Sequence, residues 1–379
     1  MPHRHFKVLD ARLSLEGPEA VIDPIAAAYR RFIAPATNGD SPAAPTVVAG
    51  DEGVEGLGRF TPYAPPVEPT MLAYQRFLET LLHRVGSHAI LHAAALAAPG
   101  ADGGATLLAA PRGHGKSTLT LELLARGHGF LGDDYAPLDL ERGEIAPYPR
   151  AIGLRPTPGH AEPDSVRRAR EDEHLPRLLG KTLVDAGELF GDDKVLTASR
   201  PLRHVILLTA EDPGRDPAAA GSSIDVIGRA EEAERLDAAL QAIDGVEIEA
   251  RADRQGIRHW KLRTRRDAWP TRELSRVLDD PDVLFSEKHW GGTPDFAAPA
   301  QMLPVKRREA AALLGREMLN RRPGGRLLER FGGNETRLFL ELAQALRHAE
   351  CWRLRVGNHI ESADLIERTI TGGKRKGAG

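Results

Sequence analysis

The stretch "LLAAPRGHGKSTLTLELLARGHGFLGDDY", Leu107 to Tyr135, decides the fold. Its small apolar residues form the short continuous run of a buried strand. That run ends in a glycine-rich turn, Gly113-His114-Gly115, followed by Lys116, Ser117 and Thr118. Leu119, Leu121, Leu123 and Leu124 then mark a helix that Gly127 closes, because glycine takes the left-handed conformation that ends helices. A strand feeding a glycine turn and then a helix aims backbone N–H groups and a helix N-terminus at one point, which makes an anion site. The glycines let the backbone curl without a Cβ clash, Lys116 can reach β- and γ-phosphates, and the Ser117 hydroxyl suits Mg2+. Arg112, Gly113, His114, Gly115, Lys116, Ser117 and Thr118 are therefore the candidate nucleotide contacts. One position departs from the usual P-loop pattern, which has glycine where Ala110 stands. His114 also reads as a surface residue of the loop.

Two adjacent aspartates, Asp133 and Asp134, follow close behind, whereas an ordinary P-loop protein keeps its acidic magnesium residue much further along the chain. The short turn "RGHG" lets a strand at Phe130-Leu131 bring them back beside the loop. Two carboxylates there can divide the labour, one holding Mg2+ and the other orienting a hydroxyl or accepting its proton. The expectation taken forward gives the hydroxyl to Asp133 and the metal to Asp134 with Ser117. The alternative is a solvated turn in which Asp133 caps local backbone.

Composition narrows the function classes. The chain has 379 residues, a net charge of −3 and 5% aromatic residues, which favours neither nucleic acid nor a membrane surface as the main partner. Its single cysteine, Cys351, cannot form an internal disulfide, and the start "MPHRHFKVLD" lacks the apolar core of a signal peptide. A cytoplasmic protein is the expectation. Cys351 precedes "WRLRVG" in a buried strand with no organised His and acid partner, which argues against a nucleophile.

The pass along the chain predicts a small N-terminal α+β region over 1–65, a main α/β unit over 66–372 and a flexible basic tail, "GKRKGAG", at 373–379. The N-terminal region holds strand pieces in "HFKVLDARLSL", a helix around "IDPIAAAYRRFI" and a linker-like "APATNGDSPAAPTVVAGDEG". Helical spacing covers Met71 to Arg84. Ile90–Ala98 and Ala105–Ala110 read as a hairpin of buried strands, and "HVILLTA" as another buried strand. A helix over Ala230–Ile243 precedes a possible two-stranded excursion in "GVEIEARADRQGIRHWKLRT". Helices around Arg308–Asn320, Glu335–His348 and Ala363–Ile370 finish the chain.

At this point the sequence resembles a known family. "LHAAALAA" followed by "LLAAPRGHGKSTLTLELLARGHGFLGDD" is similar to the catalytic core of HPr kinase/phosphorylase and its related proteins, over about Ile90 to Tyr135. An upstream histidine, a P-loop and an "RGH…DD" segment come in that family's order and spacing. The resemblance implies a P-loop core with a mixed sheet flanked by helices, akin also to phosphoenolpyruvate carboxykinase. It implies that His92 stands near the phosphates, that Lys116 and Ser117 contact phosphate and metal, and that Asp133 and Asp134 activate a seryl hydroxyl and help bind metal. Otherwise His92 is a histidine satisfied inside a tight strand. The bifunctional members carry a glutamate before Arg-Gly, and here the stretch reads "YPRAIGLRPTPG", with Arg150 but no such glutamate. The resemblance therefore does not extend to phosphorolysis, nor to that family's N-terminal domain and hexamer.

The expectation that follows is an ATP- and Mg2+-dependent kinase acting on a Ser or Thr hydroxyl of a protein or peptide, with homo-oligomerisation left open. Two alternatives stand beside it: a small-molecule kinase, and an ATP-sensing partner protein that transfers nothing.

Overall fold

A computed structural model describes residues 1–35, 45–63, 68–100, 103–111, 113–155, 163–210, 222–254, 257–264, 272–278, 280, 282–290 and 294–372. Arg112, the boundary expected at 65/66 and the tail 373–379 lie outside the described residues.

Alternation along the first residues makes β1 (His3–Val8) and β2 (Ala11–Glu16) an antiparallel hairpin that buries Phe6, Val8, Leu13 and Leu15. Helix α1 (Glu19–Ala28) follows, then β3 (Thr46–Ala49), β4 (Gly53–Gly56) and β5 (Arg59–Pro62), which complete a five-stranded sheet in the order β1-β2-β3-β4-β5. Strand β3 corrects the linker expected there. It pairs in parallel with β2, and its Val47-Val48 supplies the β-branched character that the surrounding Pro, Gly and Ala obscure. Helix α2 (Pro69–Arg84) starts with proline in its first turn, where the missing N–H costs nothing, and lays Leu72, Phe77 and Leu81 into the same core.

The next apolar run is one strand in composition but two in structure. β6 (Ala89–Leu91) and β7 (Ala93–Ala97) are separated at His92, and β7 forms the expected hairpin with β8 (Ala105–Ala109). The glycine loop leads into α3 (Lys116–Ala125), and Gly127 at φ 93° ends it as expected. β9 (Gly129–Gly132) then returns antiparallel to β7, before β10 (Ala136–Asp139) and β11 (Glu144–Ile145). A small sheet of β12 (Ile152–Leu154), β13 (Arg177–Leu178) and β14 (Lys181–Val184) carries α4 (Asp164–Glu171) and α5 (Ala186–Phe190).

After β15 (Arg200–Thr209) the chain builds a separate antiparallel sheet. It comprises β16 (Ser222–Arg229), β17 (Val246–Arg254), β18 (Ile257–Thr264) and β19 (Val283–Trp290), with α6 (Ala233–Gln241) and α7 (Arg272–Leu278). Trp260, Leu262, Val226 and Leu236 give it a core of its own. The two-stranded excursion expected from sequence is β17 and β18, half of that sheet. β20 (Gln301–Pro304), α8 (Arg307–Arg316), α9 (Arg326–Arg330), α10 (Glu335–Ala345), β21 (Glu350–Arg355) and α11 (His359–Gly372) complete the chain.

The central sheet has nine strands in the path β6-β10-β11-β15-β8-β7-β9, with β21 beside β15 and β20 beside β21. Strands β8, β15 and β21 run parallel and the other pairings are antiparallel. Side chains alternate between faces: Leu107, Val205 and Leu207 pack with Leu314 and Leu342 on one, and Leu108, Ile206 and Leu208 with Leu119, Leu123 and Ile366 on the other. The result is an α/β fold with a mixed sheet flanked by helices. Cys351 is buried in β21, where burial pushes its thiol up to about 11. Among the described residues no helix is long and apolar enough to cross a membrane.

Candidate active site

The loop between β8 and α3 needs its glycines. Gly113 and Gly115 have φ of 87° and 82°, the left-handed region that other residues enter at a steric cost. Gly115 is the cap of α3, whose first-turn N–H groups have no acceptor within the helix. His114 is buried at 3% exposure, which overturns the reading of it as a surface residue, while Thr118 is half-buried in the first turn.

Lys116 is 5% exposed and folds back over its own loop. Its Nζ donates to the Ala110 carbonyl at 2.8 Å and the Pro111 carbonyl at 3.4 Å, and lies 3.3 Å from His92 Nε2. Burial lowers the pKa of this amine, opposed by the charges of Asp134, Glu317 and Asp133.

The two aspartates directly follow β9. The chain turns sharply there, and Gly132 allows it: a Cβ at that position would stand 2.7 Å from the Tyr135 carbonyl oxygen and 3.0 Å from that of Tyr148. Asp134 itself takes φ 65°, a left-handed conformation that aspartate tolerates better than most residues. The Ser117 hydroxyl donates to Asp133 Oδ2 at 2.7 Å. Asp133 is 3% exposed, and its Oδ1 has no hydrogen-bond partner among the described residues. Burial, reinforced by the charge of Asp134, raises the Asp133 pKa to about 6 against the pull of Ser117 and Lys116. For Asp134 burial acts in the same direction, but Lys116, His92 and Arg150 together outweigh it and hold the carboxyl below its ordinary value. Adjacent carboxyls are thus driven apart, one toward the neutral form and one fixed as an anion.

The structure therefore brings His92, Lys116, Ser117, Asp133 and Asp134 together at the start of α3. It joins Ser117 to Asp133, whereas the sequence reading had coupled Ser117 with Asp134.

Three further charged residues complete the cluster. Glu317 accepts the His92 main-chain N–H on its own main-chain oxygen at 2.8 Å and meets His92 Nδ1 through Oε2 at 3.0 Å, so it holds both the backbone and the ring of His92. No short motif announces Glu317, because the pairing spans the chain. Arg150, visible in "YPRAIG", lies over the rings of Tyr29, Tyr74 and Tyr135 at 5.6, 5.6 and 5.3 Å and places Nη1 3.9 Å from Asp134 Oδ2. Lys181 on β14 acts electrostatically on Lys116 and both aspartates, its stem passing so close to Gly153 that a Cβ there would lie 2.8 Å from Lys181 Cδ.

Among the described residues no group of three or more His, Cys, Asp or Glu side chains is arranged to hold a metal ion. Mg2+ demands less of a protein, since it keeps waters and is bound through one or two carboxylates with substrate phosphates. The Ser117 hydroxyl and the unpartnered Asp133 Oδ1 are oxygen donors of the kind such a hard cation takes.

No protein-family model matches the chain, and no curated protein matches it. Among solved structures the chain is similar to one titled as the structure of the Hpr(Ser) kinase/phosphatase from Coxiella burnetii. The identity is 22% and the TM-score 0.23, over 34% of this chain and 69% of that chain. A likeness of that size bears on neither the activity nor the site.

Proposed function

We propose that the chain is an ATP-dependent phosphotransferase whose glycine loop serves as a P-loop, transferring the γ-phosphoryl group to a Ser or Thr hydroxyl of a protein or peptide. One observation carries the reading. A buried carboxylate, Asp133, is bonded to the first-turn hydroxyl of the helix that follows the glycine loop, and its second oxygen has no partner among the described residues. An orphaned buried acceptor costs about 1–3 kcal/mol, so its retention beside an anion site points to a ligand that satisfies it.

The residues divide the work as follows. Loop amides and Lys116 bind the triphosphate, the lysine exchanging its contacts with Ala110 and Pro111 for phosphate oxygens. Ser117 and Asp133 would hold Mg2+, which neutralises charge on the β- and γ-phosphates when bound. Asp134, kept ionised by its cationic neighbours, orients the acceptor hydroxyl and takes its proton as the acceptor oxygen bonds to phosphorus and the bond to ADP breaks. This exchanges the roles expected of the two aspartates, on the strength of the Ser117 bond to Asp133. His92, oriented through Nδ1 by Glu317, turns Nε2 to within 3.3 Å of the Lys116 amine and helps place that amine at the phosphates. The preference for a Ser or Thr acceptor rests on the family resemblance of Ile90 to Tyr135.

The engagement of Lys116 by its own loop favours one second reading, an ATP sensor that changes conformation on binding and transfers nothing. Incubation with γ-labelled ATP and Ser- or Thr-containing peptides separates the two. Label in a peptide supports the kinase, label in a small product supports a small-molecule kinase, and ATP binding without label transfer overturns both in favour of the sensor.

A further inference from the structure

Strands β8, β15 and β21 are parallel and finish at the same edge of the central sheet. The glycine loop follows β8, and Val356-Gly357-Asn358 follows β21. These loops touch: Val356 Cγ1 lies 3.8 Å from the position a Cβ would take on Gly115. In open α/β sheets ligands sit outside the carboxyl ends of parallel strands. A nucleotide with its phosphates at the glycine loop has this edge on which to lay its base.

A third segment, Pro294–Ala300, crosses the same edge on its way to β20, and its hold on the protein is tight. Asp295 accepts the Ala297 N–H on Oδ1 at 3.0 Å and the Ala298 N–H on its main-chain oxygen at 3.1 Å. Arg355 donates to the Pro299 carbonyl at 3.1 Å, and Glu361 accepts the Ala300 N–H at 2.9 Å. Gly357 packs against the strap backbone to backbone, since a Cβ there would stand 2.0 Å from the Ala298 oxygen. The strap sets the half-buried Phe296 against the loop, with ring atoms Cε1 and Cζ 3.4 and 4.0 Å from the Gly115 Cβ position.

We propose that Phe296 is the platform on which the base of a nucleotide bound at the glycine loop stacks. The proposal rests on the reading of that loop as a nucleotide site. It adds the base-contacting residue, which no sequence motif marks, and a chemical consequence. Every nucleobase presents a π-face, so this contact strengthens purine nucleotide binding without choosing between adenine and guanine. Inorganic tripolyphosphate has the same phosphates and no base, so it is blind to the platform.

Calorimetric titration of the full chain with ATP, GTP and inorganic tripolyphosphate, each with Mg2+, tests it in wild type, Phe296→Ala and Phe296→Trp. Phe296→Ala is expected to weaken ATP and GTP about 10- to 100-fold while changing tripolyphosphate by less than about twofold, and Phe296→Trp to restore ATP binding. Equal losses for ATP and tripolyphosphate in Phe296→Ala overturn the proposal, because the ring then only supports the loop. Unchanged ATP affinity overturns it too, while tripolyphosphate binding leaves the phosphate site standing. A wild-type chain that binds neither ATP nor tripolyphosphate overturns the glycine-loop reading itself.

Discussion

Asp133→Asn should make the nucleotide-free protein more stable, and by an amount that depends on pH. The carboxyl is 3% exposed, and its pKa rises from an ordinary 3.8 to about 6, so solvent screening is no reason to discount the effect. At 1.36 kcal/mol per pH unit this difference corresponds to about 3 kcal/mol. The sign follows from proton binding. Between pH 3.8 and about 6 the folded protein holds a proton that the unfolded chain has released, so stability falls as pH rises through that window and the cost is complete above it. At pH 8 the asparagine variant escapes the whole penalty, about 3 kcal/mol, and at pH 5 about half of it. Paired melting curves at pH 5 and pH 8, without nucleotide or Mg2+, give the comparison; the expected gain is several degrees at pH 8 and clearly less at pH 5. A variant no more stable than wild type at pH 8, or one with equal gains at both values, would show that Asp133 is not held in an unfavourable charged state. The reasoning from burial would then fail.

Lys116→Ala should abolish the melting shift produced by ATP, which for wild type at a hundredfold excess over its dissociation constant is about 2.7 kcal/mol; an undiminished shift refutes the phosphate loop. Asp134→Asn is expected to bind ATP normally, keep its Mg2+ dependence and lose transfer by roughly 10²–10⁴-fold, whereas Asp133→Asn should need more Mg2+ for half-maximal rate. Transfer near the wild-type rate in the double variant would remove both aspartates from the mechanism. Arg150→Met keeps most of the side-chain volume but strips a cation 3.9 Å from Asp134, and should destabilise the protein by roughly 3 kcal/mol in a denaturant titration; a change under about 0.5 kcal/mol would mean the guanidinium contributes only packing.

Much of the central fold is legible because it is locally encoded. The apolar run to Ala110, the glycine turn, the leucines of α3 and the stop at Gly127 lie within one stretch, and each signal acts on residues a few positions away. The hairpin of β7 and β8 follows for the same reason. What escapes is set by distant partners. Strand β3 exists because β2 offers it an edge, and Val47-Val48 alone is too short a signal among prolines and glycines. β17 and β18 are visible as a pair, yet the sheet they join is completed by β16 and β19, whose pairing lies far along the chain. His114 reads as exposed by the habit of loops, yet the tertiary fold buries it while its neighbour Gly113 stays exposed. Glu317 reaches His92 through the tertiary fold, and nothing around Glu317 in sequence distinguishes it from an ordinary helix-end carboxylate.

The same distance dependence explains why the site involves the N-terminal sheet at all. Arg150 would be an expensive group to bury, and three rings meet its guanidinium; two of them, Tyr29 and Tyr74, belong to segments packed on the five-stranded sheet. Their faces compensate desolvation without neutralising the charge, so the cation remains available to Asp134 at 3.9 Å. A carboxylate in place of any one tyrosine would have paired with Arg150 and withdrawn it. Lys116 and His92, joined by the Arg150 cation that the rings leave unneutralised, keep Asp134 ionised, while burial and the charge of Asp134 push Asp133, one residue away, toward its neutral form. The N-terminal region, whose sequence carries no catalytic motif, thereby supports one of the cations that act on Asp134, a residue it does not itself supply.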